Sequence, residues 1–304
     1  MVSKTKTGVY LAILVVIILG LTAGMVYFGV SRGNDLEKME SMSQKLKEYE
    51  DTVSAKDSQL NDLQSRVDEQ EQKIEEYEST ISNLEIQLAA KKNGAIPGKV
   101  AYLTFDDGPS PNTIKILDVL KERGVKATFF VVNSSYNHYM KRIVEDGHCI
   151  GLHAYRHDYR AIYQSTDAYF EDLYKIQKVV KDLTGVESKV LRFPGGGSNT
   201  VSKFNKGIMT KLTKMVQEKG FSYFDWNVDS GDADANRVPT ATLVSNVKNR
   251  CKGKDKINIL MHDAGAKTTT VEALPAIIDY LKGEGYTFLP LSNNAFPVHH
   301  HVNN

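Results

Sequence analysis

VAYLTFDDGP, residues 100–109, is the stretch that decides the fold. An uncharged run of apolar and β-branched residues ends at Asp106 and Asp107 and is followed directly by Gly108 and Pro109. This pattern is typical of a buried strand that runs into a turn. Neighbouring residues of a strand point to opposite faces, so both carboxylates can serve one site only if the chain turns at once. Gly108-Pro109 favours such a turn.

Strand-like and helix-like segments alternate through the rest of residues 99–297. Strands are predicted at 100–105, 127–132, 148–152, 190–193, 222–227, 257–261 and 287–289. Helices are predicted between them at 113–123, 140–145, 167–183, 208–219, 240–250 and 270–282. This alternation indicates an α/β fold with a parallel sheet, either doubly wound or closed as a barrel. Seven strands in this length fit a small or irregular (β/α) barrel.

Polar side chains gather at the carboxyl ends of five predicted strands. They are Asp106 and Asp107, His153 and His157, Arg192 and Pro194, Asp225, Trp226 and Asp229, and His262 and Asp263. Ligands bind at this edge in parallel barrels and in open α/β sheets. The sequence therefore predicts a catalytic site there.

The donor types at this edge favour one divalent metal ion. His153 and His157 are four residues apart, a weak signal alone that a carboxylate from another strand strengthens. Two histidines and one carboxylate leave open positions for water and substrate, as in catalytic sites. Such a site also needs a general base and a general acid, and Asp106 and His262 are of the right types. Zinc fits these donors, and cobalt, nickel, manganese or iron could occupy the same site.

Five ordered motifs resemble those of the polysaccharide deacetylase family, the NodB-homology carbohydrate esterases. They are TFDDGP at 104–109, HAYRH at 153–157, RFPGG at 192–196, DW at 225–226 and LMH at 260–262. The resemblance covers nearly all of residues 99–291, and it extends to membrane-anchored peptidoglycan N-acetylglucosamine deacetylases. It implies a distorted (β/α) barrel of about seven parallel strands and a metal-dependent deacetylase.

The resemblance also implies a role for each matching residue. The metal ligands would be Asp107, His153 and His157. Asp106 would be the general base that takes a proton from the attacking water, held ionised and oriented by Arg192. His262 would be the general acid, with Asp225 supporting its charged form.

Three further positions are assigned by the same resemblance. The backbone N–H of Gly195 would meet the oxyanion, and Trp226 and Leu260 would form apolar walls near the acetyl methyl group. Two residues depart from the usual motifs. Ala154 replaces a hydroxyl residue after the first histidine, and Gly195 replaces an aromatic residue. Neither change touches a metal ligand or an acid–base residue, so we expect activity to survive with an altered substrate groove.

Composition and charge exclude one class of partner. The chain has 304 residues, with 38 basic and 37 acidic side chains and a net charge of +1. This balance gives no electrostatic basis for nucleic-acid binding. Two cysteines, Cys149 and Cys251, are too few for a disulfide framework and have no metal-type spacing.

Residues 8–30 contain no charged side chain. As a helix of about 34 Å they would cross a hydrocarbon core of about 30 Å. The stretch is longer than the apolar region typical of a cleaved secretory signal, which remains the alternative. Lys4 and Lys6 precede the span and acidic residues follow it. The bias places the N-terminus in the cytoplasm and the rest of the chain outside the cell membrane.

A heptad repeat follows the span. Apolar residues recur every seventh position at Met39, Leu46, Val53, Leu60, Val67, Ile74, Ile81 and Leu88. Such a series predicts a coiled coil, with a lean toward a parallel homodimer; a single solvated helix or a partner-binding helix is the alternative. Either way the segment is expected to form a stalk of about 80 Å.

These patterns divide the chain into five parts. Residues 1–32 form a cytoplasmic tip and anchor, 33–93 the stalk, 94–98 a linker, 99–297 the deacetylase domain and 298–304 a flexible tail that includes His299, His300 and His301. Three aspartates after the fifth predicted strand, Asp229, Asp232 and Asp234, either line the substrate groove or solvate it. The expected substrate is a cell-wall polysaccharide, most simply peptidoglycan, because the wall is the nearest polymer to an enzyme tethered outside.

Three alternatives to peptidoglycan deacetylation stay open. The same catalytic core could deacetylate chitin oligomers or acetylxylan. A non-catalytic glycan-binding scaffold is a second reading, although a pure binder has no use for both Asp106 and His262. A two-carboxylate glycosidase ranks last, because the His–His–Asp set would then have no purpose.

Overall fold

The computed structural model describes residues 15–19, 34–93 and 98–304. Two units separate between Tyr77 and Glu78, and every strand lies in the second. Residues 15–19 are helical, but most of the predicted anchor at 8–30 lies outside the described residues. Within the described ranges, no helix has the length and apolar character needed to cross a bilayer.

A single helix, α1 (Asn34–Asn93), covers the segment that carries the heptad repeat. Its 60 residues extend about 90 Å at about 1.5 Å per residue. The heptad residues Leu60, Val67 and Ile74 are 57%, 46% and 54% exposed along it. The helix agrees with the expected stalk, while the pairing of two stalks stays a prediction.

The second unit contains one parallel sheet. Its strands are β1 (Val100–Asp106), β2 (Thr128–Val132), β3 (Cys149–Ala154), β4 (Val190–Leu191), β5 (Ser222–Tyr223), β6 (Val228–Asp229), β7 (Lys256–His262) and β8 (Thr287–Phe288). All seven predicted strands have a counterpart, and β6 is additional.

Helices connect the strands where the sequence predicts them. They are α2 (Pro111–Glu122), α3 (Met140–Glu145), α4 (Tyr159–Ile162), α5 (Thr166–Thr184), α6 (Ile208–Glu218), α7 (Thr240–Arg250) and α8 (Thr268–Gly283), with 3₁₀ turns at Asn137–Tyr139 and Asp232–Asp234. Gly185 ends α5 in the left-handed conformation, with φ of 77°, which glycine adopts without steric cost. The four-residue helix α4 was not predicted from the sequence.

The sheet curls without closing. Its strand order is β5-β4-β3-β2-β1-β7-β6, and β8 pairs with the first residues of β1. Strands β5 and β6 stand at opposite ends of this order, yet only residues 224–227 separate them in the chain. Five peptide units reach at most about 19 Å, so the two edges must approach each other across the gap. The fold is therefore an open parallel α/β half-barrel.

The predicted strand at 222–227 is corrected by this arrangement. Its first residues pair with β4 as β5, and the chain then leaves the sheet and joins β7 as β6. We call residues 224–227 the crossing segment. Apolar character alone could not reveal the break, because residues such as Phe224 are buried in the crossing segment as they would be in a strand.

Strand periodicity decides which residues of β1 face the barrel interior. Ala101, Leu103 and Phe105 belong to the large core between the sheet and the helices. Val100 and Tyr102 belong to the smaller interior cluster, which also contains Phe130. Thr104 and Asp106 continue this inward row at the two-residue period. The sequence thus places Asp106 at the inner rim of the barrel.

Candidate active site

The chain turns sharply at the end of β1, and this turn separates the two carboxylates. Asp107 has φ of 71°, a left-handed conformation that non-glycine residues rarely adopt. A Cβ on Gly108 would lie 2.0 Å from Oδ2 of Asp263, so only glycine fits there. Ser110 then caps α2 and donates to the carbonyl of Asp263 at 2.5 Å. The expected immediate turn is confirmed, and it brings Asp107 to the same rim as Asp106.

Three side chains meet beside this turn. Oδ1 of Asp107 lies 3.4 Å from Nε2 of His153 and 3.3 Å from Nε2 of His157. All three donor atoms lie within 4.8 Å of one another. An ion held tetrahedrally at about 2.0–2.2 Å separates its ligands by about 3.3–3.6 Å, so the observed spacing fits a metal. Oδ1 of Asp107 is also buried and has no hydrogen-bond partner among the described residues, which suits an atom reserved for a cation.

The surroundings orient both histidines. Nδ1 of His153 lies 2.8 Å from the backbone carbonyl of Arg192, so it carries the proton and leaves Nε2 free as a ligand. The loop between the histidines is braced by Asp172 on α5, which accepts from the amides of Tyr155 at 2.7 Å and Arg156 at 2.8 Å. Asp172 thus stabilises this loop although Ala154 has no hydroxyl.

The electrostatics of the cluster favour an ionised carboxylate. Burial acts to raise the pKa of Asp107, but His153 and His157 outweigh it and hold that pKa well below its usual range. Burial and the neighbouring His153 lower the pKa of His157. Burial acts to lower the pKa of His153, but Asp107 and Asp106 outweigh it and raise that pKa, so a metal ion that binds here would release a proton.

Arg192 is fully buried and fixes Asp106. Its guanidinium donates to Oδ1 of Asp106 at 2.9 Å and to the hydroxyl of Thr104 at 2.7 Å. Further bonds go to the carbonyl of Phe224 at 2.9 Å, the carbonyl of Asp225 at 3.1 Å and Oδ1 of Asn258 at 3.1 Å. Because five bonds hold it, the guanidinium ties strands β1, β4 and β7 to the crossing segment and gives Asp106 one orientation.

Asp232, rather than Asp225, is the partner of His262. Oδ1 of Asp232 lies 2.8 Å from Nδ1 of His262, and its Oδ2 accepts from the amide of His262 at 2.7 Å and from Thr270 at 2.8 Å. The predicted partner, Asp225, instead accepts from the amides of Gly197 at 2.7 Å and His300 at 2.8 Å. Strand β6 pairs in parallel with β7, which ends at His262. A carboxylate in the loop just after β6 therefore lies beside His262.

This pairing changes the acidity of both groups. Burial acts to lower the pKa of His262, but Asp232 outweighs burial and raises that pKa to about 9. Burial acts to raise the pKa of Asp232, and its hydrogen bonds with His262 and Thr270 hold the pKa below the usual value instead. The imidazole is therefore protonated at neutral pH and can donate a proton.

The remaining predicted site residues lie around this rim. Gly195 is exposed, with φ of 78°, in the loop after β4. Leu260 is buried in β7, beside Thr104 of β1. Trp226 is half-buried, with its ring 5.7 Å from the guanidinium of Arg192 and against Gly196, where an added Cβ would lie 2.9 Å away. Trp226 thus supports the loop of Gly195.

The histidines outside the cluster have other surroundings. His148 is buried and accepts from the amide of Ala127 at 3.1 Å, and burial lowers its pKa to about 4, as expected for a structural histidine. Residues 298–304, expected to form a flexible tail, make hydrogen bonds with the domain. His300 lies 2.6 Å from the carbonyl of Trp226 through Nε2, and Asn304 donates to Ser202 at 2.9 Å.

Comparisons with known proteins agree with this geometry. A family model described as polysaccharide deacetylase matches residues 93–208. A putative polysaccharide deacetylase of Bacillus subtilis is 35% identical over 208 residues, which cover 66% of this chain and 70% of that protein. The chain belongs to the polysaccharide deacetylase family. The resemblance found in the sequence is thereby confirmed.

Two further relatives of this polysaccharide deacetylase carry more specific names. A peptidoglycan-N-acetylglucosamine deacetylase of Bacillus cereus is 34% identical over 208 residues, covering 66% of this chain and 72% of that protein. The crystal structure of the catalytic domain of peptidoglycan N-acetylglucosamine deacetylase from Eubacterium rectale superposes with a TM-score of 0.66 at 42% identity, covering 68% of this chain and 94% of that one.

Sequence reasoning missed two carboxylates of the site. Asp232 stood among several aspartates at 225–234, and their spacing could not choose between them. Asp172 lies in the middle of α5, where an acidic residue usually marks only a solvated face. The strand that precedes Asp232, β6, is defined only by its pairing with β7, so no pattern in the sequence marked this carboxylate. No local signal distinguished Asp172.

Proposed function

We propose that this protein hydrolyses the N-acetyl group of N-acetylglucosamine residues in peptidoglycan. The observation that carries the proposal is the convergence of three units at one rim. They are the cluster of Asp107, His153 and His157, the Asp106–Arg192 pair and the His262–Asp232 pair. A metal-binding cluster, an oriented carboxylate and a protonated imidazole are what amide hydrolysis requires together.

The chain's own residues move two protons in this reaction. Asp106 takes a proton from the water that attacks the acetyl carbonyl, while Arg192 keeps the carboxylate aligned. The N–H of Gly195 stabilises the negative oxygen that forms. His262 donates its proton to the sugar nitrogen as the carbon–nitrogen bond breaks, which releases acetate and a free amine. Asp232 stabilises the imidazolium before this transfer.

Asp107, His153 and His157 would hold one divalent ion, with zinc favoured by the two imidazoles and the carboxylate. The ion would lower the pKa of the attacking water and polarise the acetyl carbonyl. The support for this assignment is the ligand spacing, the free Nε2 of His153 and the buried, unpartnered Oδ1 of Asp107.

Peptidoglycan is favoured by the names of the relatives and by the expected location. The uncharged stretch at 8–30 supports a single-pass anchor with a cytoplasmic N-terminus, and α1 supports a stalk that follows it outside. An enzyme so placed meets the cell wall first. Chitin oligomers and acetylxylan present the same acetyl carbonyl, so access and groove shape would decide among these substrates.

The test is acetate release from purified peptidoglycan by the protein loaded with zinc or cobalt. Asp106→Asn keeps the size of the side chain but removes the base, so we expect the rate to fall at least a hundredfold. Chelation should abolish release, and added metal should restore it. Asp255→Asn, at an exposed position just before β7 and at the opposite end of that strand from His262, is the control that should keep full activity.

The outcomes separate the alternatives. Release from chitin oligomers or acetylxylan but not from peptidoglycan would keep the chemistry and remove the wall as substrate. Stoichiometric metal binding with no release from any acetylated glycan would favour the glycan-binding scaffold. The location is tested separately. Cell fractionation should place the protein in the membrane fraction, and protease added to intact protoplasts should degrade residues 99–297.

A further inference from the structure

Residues 298–304, which we call the strap, lie against the crossing segment. The amide of Asp225 donates to the carbonyl of Val298 at 2.8 Å, and the amide of His300 returns a bond to Oδ2 of Asp225 at the same distance. The ring of His299 stacks on Tyr223 with centroids 3.9 Å apart. These contacts fix the strap beside the gap in the barrel.

Asp225 connects the strap to the loop that contains Gly195. We call residues 195–199 the glycine loop. The carboxylate of Asp225 is fully buried; Oδ1 accepts from the amide of Gly197 at 2.7 Å, and Oδ2 accepts from the amide of His300. One buried side chain therefore joins the loop to the strap, and both of its oxygens depend on that arrangement.

His300 makes a second connection through its side chain. Nε2 lies 2.6 Å from the carbonyl of Trp226, and Nδ1 lies 3.1 Å from the hydroxyl of Ser198. Since a carbonyl only accepts, Nε2 donates to it, and Nδ1 is left to bond with the hydroxyl of Ser198. The ring also meets Trp226 edge-on at 4.6 Å. The imidazole thus bridges the crossing segment and the glycine loop.

The glycine loop has no free space on its inner side. A Cβ on Gly196 would lie 2.9 Å from the Trp226 ring, and one on Gly197 would lie 2.8 Å from Oδ2 of Asp225. The loop therefore rests on the two residues that the strap also holds. Its position, and with it the direction of the Gly195 N–H, depends on contacts from both sides.

We infer that the strap sets the geometry of the oxyanion-binding N–H, with His300 and Asp225 as positioning residues. This inference rests on the proposed function for its catalytic consequence. Neither residue touches the reacting atoms. They act by holding the glycine loop so that the N–H of Gly195 points at the developing negative charge, and a donor helps only when it is held in that direction.

The test compares His300→Ala with His301→Ala in the full chain. His301 is exposed and adjacent, so its variant controls for loss of a histidine in the strap. We expect His300→Ala to lower kcat about tenfold with KM changed less than about twofold, because the N–H acts mainly on the transition state. His300→Gln, whose amide can donate to the Trp226 carbonyl, should recover part of kcat.

Hydrogen–deuterium exchange gives a readout that needs no activity. Amides of residues 195–199 should exchange faster in His300→Ala than in wild type or His301→Ala, while amides of β1 should not change. Thermal unfolding of all variants identifies any general loss of structure, in which case His300→Gln decides. Equal exchange of the glycine loop overturns the inference, and so does an unchanged kcat in an active enzyme.

Failure of the proposed function would be visible separately. If wild-type protein releases no acetate from any glycan, the deacetylase assignment fails, and exchange alone decides whether the strap holds the loop. If wild type is active and His300→Ala matches it in both assays, the deacetylase stands and the strap has no positioning role.

Discussion

The proposed base and the proposed acid each have a buried partner. Asp106 is oriented by a fully buried guanidinium at 2.9 Å, and His262 is held protonated by a buried carboxylate at 2.8 Å. The first pair gives a carboxylate one orientation, and the second keeps an imidazole protonated at neutral pH. An amide hydrolase needs that combination, because its leaving nitrogen is a poor leaving group until it is protonated.

Asp232→Asn tests the acid directly. The pKa of His262 is raised to about 9 by Asp232, against an ordinary value of 6.5. Because the acid works only when protonated, wild-type activity should persist up to about that pH and then fall. Removing the negative charge should move the fall toward pH 7 and lower kcat at neutral pH. The measurement is kcat/KM from pH 5 to 10, with Asp255→Asn as the matched control.

If the fall of kcat/KM at high pH is unchanged in Asp232→Asn, another group donates the proton. A loss of activity that is uniform over all pH values would instead indicate that the carboxylate acts by placing the ring. Thermal unfolding of the variant at pH 6 and pH 9 separates either result from a loss of structure.

The sequence identified the proposed metal-binding and acid–base residues better than the residues that support them. Asp107, His153 and His157 follow strand ends at short fixed spacings, so local pattern sufficed and the structure brings them together. The partner of His262 could not be found locally. Asp225 and Asp232 are equally acidic and equally close to a strand, and only the pairing of β6 with β7 puts Asp232 beside the imidazole.

Among the helices and strands, too, local pattern predicts some features, and contacts with distant residues decide the others. Helices such as α5 begin and end where the sequence predicts, because the capping residue Ser165, the terminal Gly185 and the apolar periodicity all lie within or next to the helix. The two-residue strands β5 and β6 are defined by which neighbour they pair with. The pairing depends on residues far away in the chain, and a pattern within residues 222–229 cannot contain that information.

Gly108→Ala tests the turn between β1 and α2. The added Cβ would lie 2.0 Å from the carboxylate of Asp263, which is buried and held by Thr113 at 2.5 Å. Since Asp263 cannot move freely, the turn must shift and displace Asp107. We expect metal affinity to fall about ten- to hundredfold, in the range of other changes that disturb ligand orientation. Titration calorimetry with zinc measures it.

Gly265→Ala is the control for this change, because an added Cβ meets no atom within 4 Å there. Equal zinc affinity in Gly108→Ala would mean that the ligand arrangement tolerates movement of the turn. Such a result would also indicate that the metal ion, rather than the packing around the turn, holds the backbone of Asp107 in its left-handed conformation.

At the scale of the whole molecule, the chain combines a catalytic half-barrel with a long helix that has no catalytic residue. Several apolar heptad residues of α1 are exposed in a single chain, among them Leu60, Leu63 and Val67. Exposed apolar residues in a seven-residue repeat are stabilised when a second helix covers them. We therefore keep the prediction that two chains associate through the stalk.

A fragment of residues 34–304 tests this association. We expect a dimer by sedimentation equilibrium, and Leu60→Asp with Val67→Asp should convert it to a monomer, because two charges in each helix would enter the apolar seam. Ser58→Asp with Ser65→Asp adds the same charges on the outer face of the same stretch of helix and should leave the dimer intact.

Acetate release per chain should be equal in all three proteins, since the half-barrel contains every proposed catalytic residue. A monomeric wild-type fragment would show that the helix stands alone or binds another protein, and the exposed seam would then be the surface on which to seek that partner.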